Sequence, residues 1–306
     1  MARRPDPHAL VDRIERLIHV DVGRNITGLF DAARGALWGA ASALARTRSA
    51  RVGLITGFYV PQGFPPAAET DGPVGAALLA KGLEAVGIPC RVATDEPCRS
   101  ACAAALVGAG IPDLPIDVVA IGAPLAPLIE IWQSASITHA ISIERCGRSA
   151  DGPPRNMRGQ DIGSYTAALD DLFTAGPWDT IAIGDGGNEI GMGAISRSLI
   201  AGHVAHGETI ACVTAARHLI VAGVSNWGAY ALIGALAALR EDWRRTLLAC
   251  LDETVDRAVL EATVEHGPAV DGVSRLRTLT VDNLDIASHH RILRMVRTMV
   301  DQGHAI

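Results

Sequence analysis

Lysine is nearly missing from this chain of 306 residues: Lys81 is the one lysine among 27 basic residues. A lysine Schiff-base mechanism would therefore rest on a single side chain in an expected surface helix, and arginine carries the positive charge. Net basicity is missing too. The formal charge of -6 gives no general attraction to nucleic acid or anionic membranes, so an anionic ligand must be held by a local cluster. No apolar run reaches the roughly 20 residues that cross a bilayer. The longest, WGAYALIGALAAL over 227–239, reads as a buried helix. The six cysteines (Cys90, Cys98, Cys102, Cys146, Cys212 and Cys250) follow no disulfide framework, and no leader with a basic head and apolar centre opens the chain. Reduced thiols and a cytoplasmic location are expected. Cys98 and Cys102 share a helical face but lack a second cysteine or histidine pair, so they read as packing residues rather than a zinc site. There is no nucleophile elbow, Ser-His-Asp set, Walker loop or dinucleotide fingerprint, and neither a nucleotide nor pyridoxal phosphate is expected.

What is present is ordinary globular material, 49% hydrophobic and 20% charged. Residues 5–46 read as two helices broken around Asp21–Thr27, with Leu10, Ile14, Leu17 and Ile18 forming an apolar stripe. After Arg51 short apolar runs alternate with alanine-rich helical segments. Strands are expected at 52–56, 90–94, 117–121, 139–143, 180–183 and 218–221. Helices are expected at 74–86, 99–107, 125–134, 165–173, 193–201 and 227–239. The strands lack clean alternation, as parallel strands covered on both faces do. Beyond 249 helices dominate, near 253–266 and 289–300. The fold class is α/β: a mostly parallel, Rossmann-like sheet between helical layers, in one domain over 1–306. Within it 1–48 is a helical layer, 49–245 the core and 246–306 a helical tail. Ligands of such sheets lie at the carboxyl ends of the strands.

The chemistry-bearing strings sit there. Ile183-Gly-Asp-Gly-Gly-Asn-Glu-Ile-Gly-Met-Gly193 runs from a strand into a glycine-dense turn. Its Gly186 and Gly187 let backbone N–H groups approach a ligand, while Asp185, Asn188 and Glu189 supply oxygen donors. A capped turn would explain one acid, but not this density of donors and glycines. Glu69-Thr-Asp-Gly-Pro follows the first strand. Thr70 or Asp71 can cap the next helix, leaving Glu69 and Asp71 to join Asp185 and Glu189 around a divalent cation, for which Mg or Mn suits an all-oxygen shell. The segment from Ser142 to Asp161 packs Glu144, Arg145, Arg148, Asn156 and Arg158 into one loop, where arginines suit an acidic ligand. Ser225 and Asn226 line a pocket or cap a helix. Val281-Asp-Asn-Leu284, His289 and His290 are smaller signals, and the histidines read as structural.

The strings ITGFYVP, ETDGPVGA, ERCGRSADG, NMRGQDI, GDGGNEIGMG and SNWGAYAL, in this order, resemble the C-terminal domain of D-glutamate cyclase and its stand-alone bacterial and archaeal relatives. The resemblance covers about residues 50–290. Pro153-Pro154-Arg155 stands where family members often carry an aromatic residue, and Asn283 where they tend to have glycine. The resemblance implies a lyase that dehydrates D-glutamate, or a related small acid, to 5-oxo-D-proline. Under it Asp185, Glu189, Glu144 and Asp71 are catalytic, with Glu144 or Asp71 moving the proton. Glu69, Asp71, Asp185 and Glu189 are the candidate metal ligands. Arg145, Arg148, Arg158, Asn156, Asn188, Gly186, Gly187, Ser225 and Asn226 are the candidate substrate contacts. The same donors also suit a metal-dependent phosphatase or a non-catalytic module that binds small acids. No nucleic-acid or membrane partner is expected, and apolar helices such as 227–239 also allow a homo-oligomer.

Overall fold

The structure, a computed structural model, describes residues 6–303; the outermost residues of the expected domain, including residue 5 of the first helix, lie outside them. Three helices come first, α1 (Pro7–Ile18), α2 (Thr27–Ala33) and α3 (Ala36–Arg46). The expected second helix is split because Gly35 takes a left-handed φ of 87° between α2 and α3. Glu15 of α1 then accepts the freed N–H groups of Gly35 and Leu37 at 2.7 and 2.9 Å, replacing a local cap with a tertiary one.

The core alternates strand and helix: β1 (Val52–Thr56), β2 (Tyr59–Val60), β3 (Ala67–Ala68), α4 (Pro73–Ala85), β4 (Cys90–Asp95), α5 (Arg99–Gly108), β5 (Ile116–Val119), α6 (Ala126–Ser134) and β6 (His139–Ile143). It continues with α7 (Asp170–Thr174), β7 (Asp179–Gly184), α8 (Arg197–His203), α9 (Gly207–Ile210), β8 (His218–Val221) and α10 (Ser225–Leu239). The tail holds α11 (Glu241–Cys250), α12 (Glu253–Glu265), a hairpin of β9 (Thr280–Val281) and β10 (Leu284–Asp285), and α13 (Ile286–Gln302). All six expected strands form within two residues of their expected ends.

Two helices differ. The span 165–173 is helical only from Asp170 onward, because the backbone groups of Ala167 are taken elsewhere: its N–H donates to Asp95 at 3.1 Å and its carbonyl accepts from Arg145 at 2.7 Å. The span 193–201 starts instead at Arg197, after Ser196 caps Leu199 N at 3.3 Å, since Gly193 is drawn off to the Thr214 carbonyl. Helix α11 carries no signal that the sequence reading uses.

The main sheet runs β5-β4-β1-β6-β7-β8, every pair parallel. Chain order thus goes outward from β1 in one direction, then returns to fill the other side, which puts the switch point between β1 and β6. Strand side chains alternate between two cores. Val52, Leu54, Ile141, Ile143, Ile181 and Ile183 face a large layer shared with α1, α3, α4 and α10–α13. Ile55, Ala93, Ala140 and Ala182 face a second layer with α2, α6 and α7, where Trp132 and Trp178 meet edge-on at 5.5 Å. Helix α10 is buried along almost its whole length, as an all-apolar helix should be. Its Gly228 lies so close to β7 that a Cβ there would stand 2.3 Å from Ile183. This contact brings the start of α10 against the carboxyl ends of β6 and β7. All six cysteines are buried free thiols. Among the described residues no helix is long and apolar enough to cross a membrane.

Candidate functional site

The switch point is lined with acid. Asp71 comes from the loop before α4, Glu144 from the residue after β6, and Asp185 from the residue after β7. Each is buried, and one carboxylate oxygen from each lies within 4.8 Å of the others. Glu144 reaches the site by taking φ 44°, a left-handed conformation rare for a glutamate and typical of functional positions. Helix α10 aims its N-terminus at the trio. The Ser225 N–H donates to Asp71 at 2.9 Å and to Asp185 at 3.1 Å, the Asn226 N–H to Asp71 at 2.8 Å, and the Ser225 hydroxyl to Glu144 at 2.5 Å. Unpaired helix N–H groups and the helix dipole offset part of the charge gathered there.

The expected capping of α4 by Thr70 or Asp71 does not occur; neither side chain bonds the first turn as a cap. Asn226 does this from across the site, its Oδ1 accepting Gly72 N at 3.0 Å and Gly75 N at 2.7 Å. One residue therefore ties α4 to α10 and frees Asp71 to face the centre.

Two residues without a role in the sequence reading complete the cluster. Asp282, in the tight β9–β10 turn, and Arg24, in the loop between α1 and α2, pair at 2.6 Å; Arg24 also approaches Asp185 at 3.5 Å. Asp21 builds the Arg24 loop by accepting the N–H groups of Gly23, Arg24, Asn25 and Ile26. The sequence marks 21–27 only as a helix break, and nothing local tells that its arginine turns inward. At the hairpin both turn residues have positive φ, 54° at Asp282 and 60° at Asn283, as a primed two-residue turn requires. Asparagine meets that demand better than most residues.

Five buried carboxyls, those of Glu69, Asp71, Glu144, Asp185 and Asp282, thus share one largely enclosed guanidinium. Burial, with Asp282 next, pushes Asp71 up to about 7. Glu144 is driven well above the carboxylate range by burial and then by Glu189, Asp71 and Glu69. Asp185 rises for the same first reason, against the pull of Arg24. Glu69 rises through burial and its neighbours Asp282 and Asp71. Arg24 is held firmly charged: burial alone would weaken it, and Asp185 and Asp282 more than restore it. Such a set must take up protons or a cation. The Asp71, Glu144 and Asp185 oxygens can hold a metal ion, and an all-carboxylate set matches Mg, Mn or Ca rather than zinc or copper. Asp282 Oδ2 is buried with no hydrogen-bond partner.

All of the cluster except Asp71 lines a cavity of about 380 Å³, with Arg24, Glu69, Glu144, Asp185 and Asp282 joined there by Asn188. Glu69 fits there because residue 272 is glycine; a Cβ on Gly272 would stand 1.9 Å from its Oε2.

The other residues singled out in the sequence lie as follows. Both oxygens of Glu189 are taken up by its own loop, accepting Asp185 N at 3.0 Å, Gly186 N at 2.6 Å and Gly187 N at 2.7 Å. Those bonds use the N–H groups that Gly186 and Gly187 would otherwise offer a ligand. Arg145 points away from the cavity into a buried pair with Asp95 at 2.6 Å and a bond to the Gly57 carbonyl at 2.7 Å. Arg148 turns to Asp171 and Asp170 on the far side of its loop. Arg158 is exposed at the cavity rim. Asn156 shapes that rim by accepting Arg158 N at 3.0 Å and Gln160 N at 3.1 Å, and Asn188 pins it through the Arg155 carbonyl at 2.8 Å. His289 bonds Trp227 at 2.9 Å and His290 pairs with Glu253 and Asp256 at 3.2 Å, both within the helical tail.

Fold and site together define a doubly wound α/β protein with an acidic pocket at its switch point. A family model described as D-glutamate cyclase-like, C-terminal, matches residues 14–297. The chain is 30% identical over 327 aligned residues to human mitochondrial D-glutamate cyclase, an alignment taking in 95% of this chain and 51% of that protein. The chain belongs to the D-glutamate cyclase-like family and spans about half the length of that relative.

Proposed function

We propose that this protein is a lyase that cyclises D-glutamate to 5-oxo-D-proline at the carboxylate cluster, with a divalent cation held by Asp71, Glu144 and Asp185. The observation that carries the reading is the convergence of these three buried carboxylates at the switch point of a chain of this family. The α-amine attacks the γ-carboxyl carbon, a C–N bond forms, and water leaves. When bound, a divalent cation supplies a Lewis acid that polarises the γ-carboxyl group.

The protein's own groups then have separate tasks. Arg158 at the rim receives the α-carboxylate, a role for which guanidinium is suited. Glu144, whose Oε2 accepts the Ser225 hydroxyl, is given to the cation, which leaves Glu69, lining the same cavity, to take the proton of the reacting amine. Glu189 sets the path of the 185–187 backbone and through it the direction of Asp185. Arg24 balances Asp185 and Asp282, so that the cluster does not repel an incoming acid with its full charge. The cavity walls curl the substrate and limit the water around it. A phosphatase reading is weaker, because a phosphomonoester would bring two further negative charges into this set with few arginines facing it.

The test is direct. Purified protein is incubated with D-glutamate, L-glutamate and a generic phosphomonoester, with Mg or Mn or with chelator. Formation of 5-oxo-D-proline from D-glutamate alone is the expected result. Phosphate release, or binding without turnover, would replace this reading with one of the alternatives.

A further inference from the structure

Arg145 follows Glu144 directly and is completely buried. Its guanidinium spans three segments. One nitrogen donates to the Gly57 carbonyl after β1 at 2.7 Å; another donates to Asp95 at the end of β4 at 2.6 Å and to the Ala167 carbonyl before α7 at 2.7 Å. Asp95 in turn accepts the Ala167 N–H at 3.1 Å. The pair is nonetheless a poor stabiliser. Asp95 Oδ1 and Arg145 Nε are buried without hydrogen-bond partners, and a buried ion pair with unsatisfied atoms gains little over apolar side chains of the same size. What such a pair can give is a fixed conformation.

The conformation at stake is that of Glu144. Its φ of 44° is costly for a residue with a Cβ and persists where the surroundings over-determine it. They do so on both sides. Upstream, the Ile143 carbonyl accepts the Thr56 hydroxyl at 2.8 Å, and the Thr56 carbonyl accepts the Thr94 hydroxyl at 2.8 Å, a run of side-chain bonds across the ends of β6, β1 and β4. The Glu144 N–H donates to the Ile183 carbonyl at 3.1 Å. Downstream, the Arg145 carbonyl accepts the Ile190 N–H at 2.8 Å, and the Arg145 side chain is held by its three bonds. Between these anchors the chain turns at Glu144, whose carboxylate meets the Ser225 hydroxyl at 2.5 Å. Gly72 leaves the space for that turn, since a Cβ there would stand 2.9 Å from the Glu144 Cβ.

We infer that Asp95 and Arg145 are positioning residues: their buried pair fixes the left-handed turn at Glu144 and so delivers the Glu144 carboxylate to Asp71 and Asp185. The inference rests on the cyclase reading for the task of that carboxylate, and on the geometry alone for its placement.

Two variants test it. Arg145→Lys keeps a positive charge for Asp95 but replaces the fork with a single nitrogen. Asp95→Asn/Arg145→Gln keeps hydrogen-bonding groups and removes both charges. Each is compared with the unaltered protein, and with the same change in a Glu144→Gln background, by thermal unfolding, Mn calorimetry, D-glutamate turnover and crystal structure. The expected result is a folded protein in which Glu144 has left the Ser225 hydroxyl, with Mn affinity and turnover both lower by about 10- to 100-fold. In the Glu144→Gln background neither change should weaken Mn binding further, because a residue that acts through Glu144 then has no ligand to position. Glu144 still bonded to Ser225, a loss of Mn affinity that persists once Glu144 is replaced, or failure of both variants to fold would overturn the inference and leave the cyclase reading standing. If the unaltered protein neither binds Mn nor converts D-glutamate, the cyclase reading falls, and the place of Glu144 in the crystal structures decides the inference by itself.

Discussion

Asp71, Glu144 and Asp185 are held within 4.8 Å of one another by backbone and hydroxyl donors from the start of α10, against strong mutual repulsion. Loss of a supporting residue around a metal commonly costs 10- to 100-fold, so loss of a ligand should cost about 100-fold or more. Asp185→Asn and Asp71→Asn should each weaken Mn binding and D-glutamate turnover by that factor, as read by calorimetry and product formation. The same substitutions should raise the melting temperature in chelator, because each removes a buried like charge. Glu189 should behave differently. Its three bonds to backbone N–H groups make it the brace of the glycine loop, and Glu189→Gln should destabilise the fold by about 3 kcal/mol. Denaturant unfolding distinguishes this from the stabilising effect expected at Asp185. Arg145 and Arg148 looked equivalent to Arg158 in the sequence because arginine's preference for carboxylates does not say whose carboxylate it meets. Asp95 and Asp171 take the first two.

At the scale of elements, the site depends on α4 and α10 being locked together. Asn226 accepts two N–H groups at the start of α4 while its own N–H donates to Asp71. Asn226→Ala should therefore cost about 2 kcal/mol through the lost cap and also loosen Asp71. Turnover should fall more than the stability loss explains, which kinetics well below the melting temperature will show. The loop carrying Gly272 and the β9–β10 hairpin close the other side. Gly272→Ala would place a methyl group on the Glu69 carboxylate, and loss of activity with little change in the circular dichroism spectrum is expected. Strand positions were legible in the sequence because a parallel sheet covered on both faces needs short apolar runs at every strand. The shortened helices at 170–174 and 197–203 were not, because distant partners, Asp95, Arg145 and Thr214, take the backbone groups that a longer helix would use.

For the whole molecule, the acid cluster links stability to pH and to cations. Asp71 has an ordinary value of 3.8 and is pushed up to about 7, with Glu69, Glu144, Asp185, Asp282 and Arg24 around it. Between about pH 4 and 7 the folded protein thus holds a proton that the unfolded chain has released, so stability falls as pH rises through that window. In chelator, the melting temperature should drop steadily from pH 5 to pH 8. Mg or Mn at 100 times its Kd should restore about 2.7 kcal/mol at pH 8, and much less at pH 5, where protons compete for the same oxygens. A melting temperature indifferent to both pH and cation would contradict the cluster's electrostatics.

The sequence by itself determined the α/β class, the six strands and the family, because apolar periodicity and contiguous strings such as GDGGNEIGMG are local properties that survive in one dimension. It also determined that Asp71, Glu144 and Asp185 follow strands or precede helices of the core, where an α/β sheet gathers its ligands. Only the tertiary structure decided which donors meet. It brought in Arg24 and Asp282 from opposite ends of the chain, sent Arg145 inward to Asp95, and spent the Glu189 carboxylate on its own loop. The reason is physical: a charged side chain pairs with whatever opposite charge or free N–H the fold brings within a few ångströms, and that distance is not written in residue order.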